Sequence, residues 1–269
     1  MKAKVEITNN YIVKYNTARF SEGLEWFTEF FSINHRRELR VYSWYNEKSH
    51  NNLLIPKSYE LTLKYIKIEK LIEIENREIL IPELIPSLNE FISLGVGKKR
   101  NVFDLLSSPT QSLIRGLLRN ATFLGPRLIF QALKHLVLLY RNSPKVGDTY
   151  LIHKDLKTNQ NMISTQNGVY FIDFGSSILT RHYFLIDIVE LSTDHLANKV
   201  DFDLLRLLIK ELGSENYKIE YLRSQIYLLL LRRTMHFGKV DRANEQIMAN
   251  VKVFLDNLDS VVSNFKLAR

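Results

Sequence analysis

At 269 residues with 45% hydrophobic side chains, the chain can bury a real core in one large domain or two lobes, and 13 Tyr and 15 Phe against 10 Gly and 6 Pro exclude low complexity. No Cys is present, which excludes disulfides, thiolate metal sites and cysteine nucleophiles. The 37 Lys and Arg against 29 Asp and Glu give a net charge of +8, which favours a polyanionic partner: nucleotide, phosphorylated glycan, anionic lipid head or nucleic acid.

In chain order, VEITN at 4–8 and YIVKY at 11–15 read as a β-hairpin around Asn9-Asn10, with Lys14 near its end. Helical spacing follows from Thr17 to Ile33, with Phe20, Leu24, Phe27 and Phe31 on one stripe. A second helix is expected over His35 to Lys48, with Leu39, Val41, Trp44 and Tyr45 near one face and Glu38 close to its start. Residues 53–61 and 63–73 then read as strands. Helices are expected over 84–95, 102–119 and 125–141, the last opening at Pro126. The runs TYLIH, NMIST and VYFIDF are strand-like, and Gln166-Asn167-Gly168 is a hairpin turn between the last two. Everything beyond about residue 185 reads as helix. The N-terminal segment MKAKVEITNN lacks the apolar core of a signal peptide, and no uncharged run reaches the roughly 18 residues of a membrane span, so a cytoplasmic location is expected.

Two acids stand out in 151–175, LIHKDLKTNQNMISTQNGVYFIDFG. Asp155 follows one strand-like run and Asp173 follows the second strand of the hairpin, which brings the chain back beside its start, so both carboxylates can share one cleft. One carboxylate can serve as general base toward a hydroxyl, and another beside an amide can hold Mg²⁺, which takes oxygen ligands and keeps waters for a phosphate-bearing partner. Asn159, Gln160 and Asn161 supply amides.

His153-Lys154-Asp155-Leu156-Lys157 with Asn161, followed by Ile172-Asp173-Phe174-Gly175, resembles the catalytic loop and metal-binding motif of the protein-kinase-like fold, which includes aminoglycoside and sugar phosphotransferases. The resemblance implies an α+β, bilobal fold: a small mixed β/α N-lobe over 1–75 and a mostly helical C-lobe over 76–269. It implies that Asp155 takes or orients the proton of an acceptor hydroxyl, and that Asp173 chelates Mg²⁺ on the phosphates of ATP. The family places its second metal ligand where this chain has Gln160, with Asn161 one residue later, so either amide fills that role. Lys157 matches the lysine near the transferred phosphate, and His153 is structural. Lys14 is matched to the lysine on the α- and β-phosphates, with Glu38 as its orienting partner and Glu25 and Glu29 as rivals. Backbone groups around Glu69 to Leu71 would read adenine.

The chain departs from the family pattern before Lys14, where none of the thirteen preceding residues is Gly. Either Thr8-Asn9-Asn10 forms a shortened phosphate cover or the nucleotide is held weakly. The link from Asp173 to Asp187 is short and carries no Ala-Pro-Glu, which resembles the small-molecule and glycan branch, in which Asp187 would hold the catalytic loop by hydrogen bonds. The implied function is an ATP-dependent kinase for a sugar, glycan or other small molecule, as in lipopolysaccharide or capsule assembly, with peripheral contact at the inner membrane face through the apolar, basic stretch 113–141. The plainer reading of that stretch is a core helix with a neighbour. A reduced protein kinase and a pseudokinase scaffold are the alternatives, and nucleic acid is disfavoured because no basic-aromatic reader motif is present.

Overall fold

A computed structural model describes residues 4–16, 33–74, 84–119, 121–143, 149–156, 160–183, 185–194, 199–211 and 218–236. Its elements begin with β1 (Lys4–Ile7), β2 (Tyr11–Tyr15), α1 (Ile33–Asn46), β3 (Ser58–Leu61), β4 (Tyr65–Glu69), α2 (Ile85–Ser93), α3 (Val102–Leu106), α4 (Pro109–Arg119) and α5 (Ala121–Asn142). They continue with β5 (Tyr150–Ile152), β6 (Met162–Thr165), β7 (Gly168–Phe171), β8 (Ile178–Thr180), α6 (Ile186–Leu191), β9 (Thr193–Asp194), β10 (Lys199–Val200), α7 (Phe202–Glu211) and α8 (Ile219–His236). Contacts group the chain into two units, Met1–Val96 with His153–Ile178, and Gly97–Ile152 with Leu179–Arg269. The helix expected over 17–33 lies, but for its last residue, outside the described residues.

In the first unit β1, β2, β4 and β3 form an antiparallel sheet in the order β1-β2-β4-β3. The β1–β2 turn closes where Thr8 N–H donates to the Tyr11 carbonyl at 2.9 Å and Thr8 Oγ1 accepts from Tyr11 N–H at 3.1 Å. Lys14 pairs with Ile66, and directly paired residues share a face, so Lys14 lies on the side of the sheet that buries Ile66 and Ile68. The strand expected over 53–61 is shorter, Ser58–Leu61. Residues 53–55 turn instead toward β7, where Phe171 N–H donates to the Leu54 carbonyl at 3.0 Å and Leu54 bridges Tyr170. Helix α1 buries His35, Arg37, Glu38, Val41 and Tyr42, so its inner stripe is more polar than the Leu39, Val41, Trp44 and Tyr45 face expected from spacing. Glu90 of α2 accepts backbone N–H groups of Asn51, Asn52 and Leu53, which ties the 51–53 loop to α2.

The second unit is mostly helical, with α5 packed on α8, where His135 stacks on Tyr227 at 4.2 Å and lies 3.2 Å from Ser224 Oγ; Ala132, Leu136 and Leu139 of α5 are buried. The helix expected over 102–119 is two helices, because Pro109 has no N–H to donate and opens α4 as a new first turn, with Ser108 Oγ accepting from Gln111 N–H at 3.3 Å. Asn101 and Asp104 cap α3 reciprocally at 2.9 and 3.0 Å. Helix α5 breaks at Gly125, whose φ of 69° only glycine adopts without strain, and Pro126 starts its straight part. The stretch beyond 185 is not all helix: β9 and β10 form a two-residue antiparallel ladder, too short for alternation to show in sequence.

Candidate active site

The first unit gathers the charged residues around one turn. The β6–β7 hairpin is closed by Gly168 at φ 130°, and its register pairs Met162 with Phe171. Ile172 N–H donates to the Asn161 carbonyl at 3.0 Å, so Asn161 and Asp173 are brought side by side by the ladder's continuation. The His153 ring, fully buried, donates from Nε2 to the Ile172 carbonyl at 2.8 Å, which hangs the loop holding Asp155 on the same strand end. The Asn161 amide nitrogen in turn donates to the Asp155 carbonyl. Three hydrogen bonds therefore fix Asp155, Asn161 and Asp173 relative to one another.

Phe174 orients the last of these acids. Its ring is fully buried between Tyr42 (5.5 Å, edge-on), Phe91 (5.7 Å) and His153 (5.4 Å), while the neighbouring Asp173 side chain is 63% exposed. The alternation requires Asp173 in the left-handed region at φ 61°, a conformation that costs a non-glycine residue about 1 kcal/mol. Lys154, directly before Asp155, stands at φ 72°, and these two are the non-glycine residues with positive φ among the described residues. Strained backbone thus coincides with both acids of the motif. Gly175 completes the turn where a Cβ would stand 3.3 Å from Asn34 Cβ, at the start of α1.

Lys14 and Glu38 meet here. Lys14 Nζ lies 2.7 Å from Glu38 Oε1 and 3.7 Å from Asp173 Oδ1, with Glu38 almost wholly buried and Lys14 about one-fifth exposed. Burial by itself would lower the Lys14 ammonium, but the Glu38 and Asp173 carboxylates outweigh it and hold the group above its ordinary value. Burial pushes the His153 imidazole below its ordinary value, against the upward pull of the Ile172 carbonyl and of Asp173 and Asp155, so the ring is a neutral structural donor. Burial first, then Glu38 and Asp173, push the Tyr42 phenol well up. Tyr42 is a site neighbour that sequence reading missed, although it lies one helical turn after Glu38 and so on the same face.

Of the remaining candidates, Gln160 is exposed and Asn161 is buried. Asn161 has its nitrogen committed to Asp155, which leaves the amide oxygen as the atom able to ligate a cation. One carboxylate and one amide oxygen are a hard donor set of the size Mg²⁺ uses when phosphates and water complete its shell. Glu69 directs both its N–H and its carboxylate to Lys57, at 2.8 and 3.2 Å, and Leu71 follows half-buried. Asp187 is fully buried in the first turn of α6. Lys157, Asn159, Glu25 and Glu29 lie outside the described residues. Thr8-Asn9-Asn10 forms the tight β1–β2 turn.

No family model and no curated protein matches the sequence. Solved structures do match in fold. An aminoglycoside phosphotransferase from Alicyclobacillus acidocaldarius superposes with a TM-score of 0.56 at 13% identity, over 97% of this chain and 92% of that one. A choline/ethanolamine kinase family protein from Mesorhizobium loti superposes with a TM-score of 0.50 at 11% identity, over 97% and 85%. The chain has the α+β, protein-kinase-like fold in the form these phosphotransferase and kinase structures share.

Proposed function

We propose that the protein is an ATP- and Mg²⁺-dependent phosphotransferase that moves the γ-phosphoryl group to a hydroxyl of a sugar, glycan or other small molecule. The observation that carries this reading is the convergence of Lys14, Glu38 and Asp173 on one another, with Asp155 and Asn161 hydrogen-bonded into the same turn. In this reading Lys14 holds the α- and β-phosphates, and Glu38 keeps its ammonium charged and aimed. Asp173 and the Asn161 oxygen, or Gln160 in its place, hold the metal, whose charge offsets that developing on the phosphates. Asp155 accepts or orients the proton of the acceptor hydroxyl, Lys157 would supply positive charge for the transferred phosphoryl group, and backbone groups of Glu69 to Leu71 receive adenine. Residues 1–75 form the nucleotide-covering lobe and 76–269 the lobe of catalytic loop, metal and acceptor. The phosphotransferase and kinase folds at 0.56 and 0.50 support a small-molecule acceptor in kind. The chain's basic character suits surface-polysaccharide assembly in the cytoplasm, at the inner face of the membrane.

The test is a thermal-shift titration of wild type, Asp173→Ala and Asp155→Asn with ATP, GTP and ADP, each with and without Mg²⁺. Stabilisation that needs both metal and Asp173, and that Asp155→Asn retains while losing turnover on a sugar acceptor panel, is the expected result. Equal stabilisation with and without Mg²⁺ would sink the metal assignment. No shift at millimolar nucleotide would replace the enzyme with a scaffold that kept the fold.

A further inference from the structure

In the second unit, the side of α5 opposite Ala132, Leu136 and Leu139 is apolar and open to solvent: Phe130 is 70% exposed, Val137 65% and Leu133 51%. Thr110 Oγ1 lies 3.2 Å from Tyr140 Oη, which ties the first turn of α4 to the last turns of α5. The two helices therefore run back along each other, and α4 carries a further exposed apolar side chain, Leu118, at 74%. Exposed Arg127, Lys134 and Arg141 recur every seventh residue on α5, in a row beside that of Phe130 and Val137. Exposed Arg115 and Arg119 extend the cationic edge on α4.

The sign of this charge is uniform. No Asp or Glu stands between Asp104 and Asp148, although the whole chain carries 29 in 269 residues. A protein partner presents discrete charges of both signs and tolerates carboxylates at the rim of its interface. An anionic bilayer repels every carboxylate brought to it, attracts each Lys and Arg within a Debye length, and accepts Phe, Leu and Val side chains at the boundary of headgroups and acyl chains. Among the described residues no helix is long and apolar enough to cross a membrane, so the contact such a face makes is peripheral. We infer that the α4–α5 face is a docking surface for an anionic phospholipid bilayer, entered by Phe130, Leu133, Val137 and Leu118 and held by the Arg127, Lys134 and Arg141 row. This assigns a surface and a lipid charge to the membrane location proposed above, and it rests on exposure and charge in the second unit, not on phosphotransfer.

The test is co-sedimentation of the full chain with vesicles of phosphatidylcholine alone and of phosphatidylcholine mixed with phosphatidylglycerol, at low and high salt. Phe130→Ser with Val137→Ser removes the apolar row, and Lys134→Glu with Arg141→Glu reverses part of the cationic row. All four side chains are exposed, and thermal melts check that the variants remain folded. Binding to the phosphatidylglycerol vesicles only, weakened by salt and lowered at least about tenfold by each double variant, is expected. Equal sedimentation with neutral vesicles, no sedimentation, or wild-type binding by folded variants would overturn the inference. So would a self-associated wild type that Phe130→Ser with Val137→Ser converts to monomer, because the occupant of the face would then be a second copy of the chain. None of these readouts requires nucleotide, so failure here and failure of the kinase assignment are separate results.

Discussion

Glu38 Oε1 stands 2.7 Å from Lys14 Nζ, joining the inner stripe of α1 to the second strand of the sheet. Glu38→Gln leaves the ammonium with Asp173 at 3.7 Å as its charged neighbour, and is expected to cost about 1 to 3 kcal/mol in urea denaturation. Lys14→Met in the same background should cost less than it does alone, which a double-mutant cycle reads directly. Because the Lys14 ammonium is held above its ordinary value of 10.5, its contribution is complete below that pH and is lost as pH rises through the higher folded value. Denaturation above pH 10.5 in wild type and Lys14→Met checks the sign.

Glu90 gathers N–H groups from Asn51, Asn52 and Leu53 and the Asn52 side-chain amide, at 2.9 to 3.3 Å. Burial pushes its carboxyl up, but these donors outweigh burial and hold it below the ordinary 4.5. The stabilisation is present above that value and lost as pH falls through the lower folded one. Glu90→Ala is expected to cost about 2 kcal/mol at neutral pH, and its stability should converge on that of wild type in acid.

Gly168 turns the β6–β7 hairpin at φ 130°, and a Cβ there would stand 2.8 Å from Leu54 Cδ1. Gly168→Ala should cost about 1 to 3 kcal/mol. Leu54→Ala should restore the part due to the contact and leave the part due to backbone strain, so the two substitutions are expected to be non-additive in denaturation.

Tyr42 Oη is fully buried and meets no hydrogen-bond partner among the described residues, while its ring packs edge-on against Phe174. Tyr42→Phe keeps the ring contact and removes an unsatisfied hydroxyl, so it is expected to be neutral or to raise stability by up to about 1 kcal/mol. A lower melting temperature for Tyr42→Phe would show that the hydroxyl has a partner in solution.

By itself the sequence determined the local parts of this protein. The Asn167-Gly168 turn, the Pro126 helix start and the Asn9-Asn10 hairpin are visible because turn sterics and the missing proline N–H act within a few residues. The order Asp155, Asn161, Asp173 around one hairpin was legible for the same reason, since a two-strand ladder returns the chain to its start. The two-residue ladder of β9 and β10, the turn of residues 53–55 toward β7, and the polar inner stripe of α1 were not legible, because each depends on a partner distant in sequence. The resemblance names Glu38 as the partner of Lys14, with Glu25 and Glu29 as rivals, and the tertiary structure set Glu38 opposite it; only the tertiary structure buried Tyr42 against Phe174 and placed Asp173 in the left-handed region with its carboxylate turned outward. Packing of the Phe174 ring decided that geometry: burying a large aromatic side chain is worth more than the roughly 1 kcal/mol of backbone strain it imposes on the residue before it.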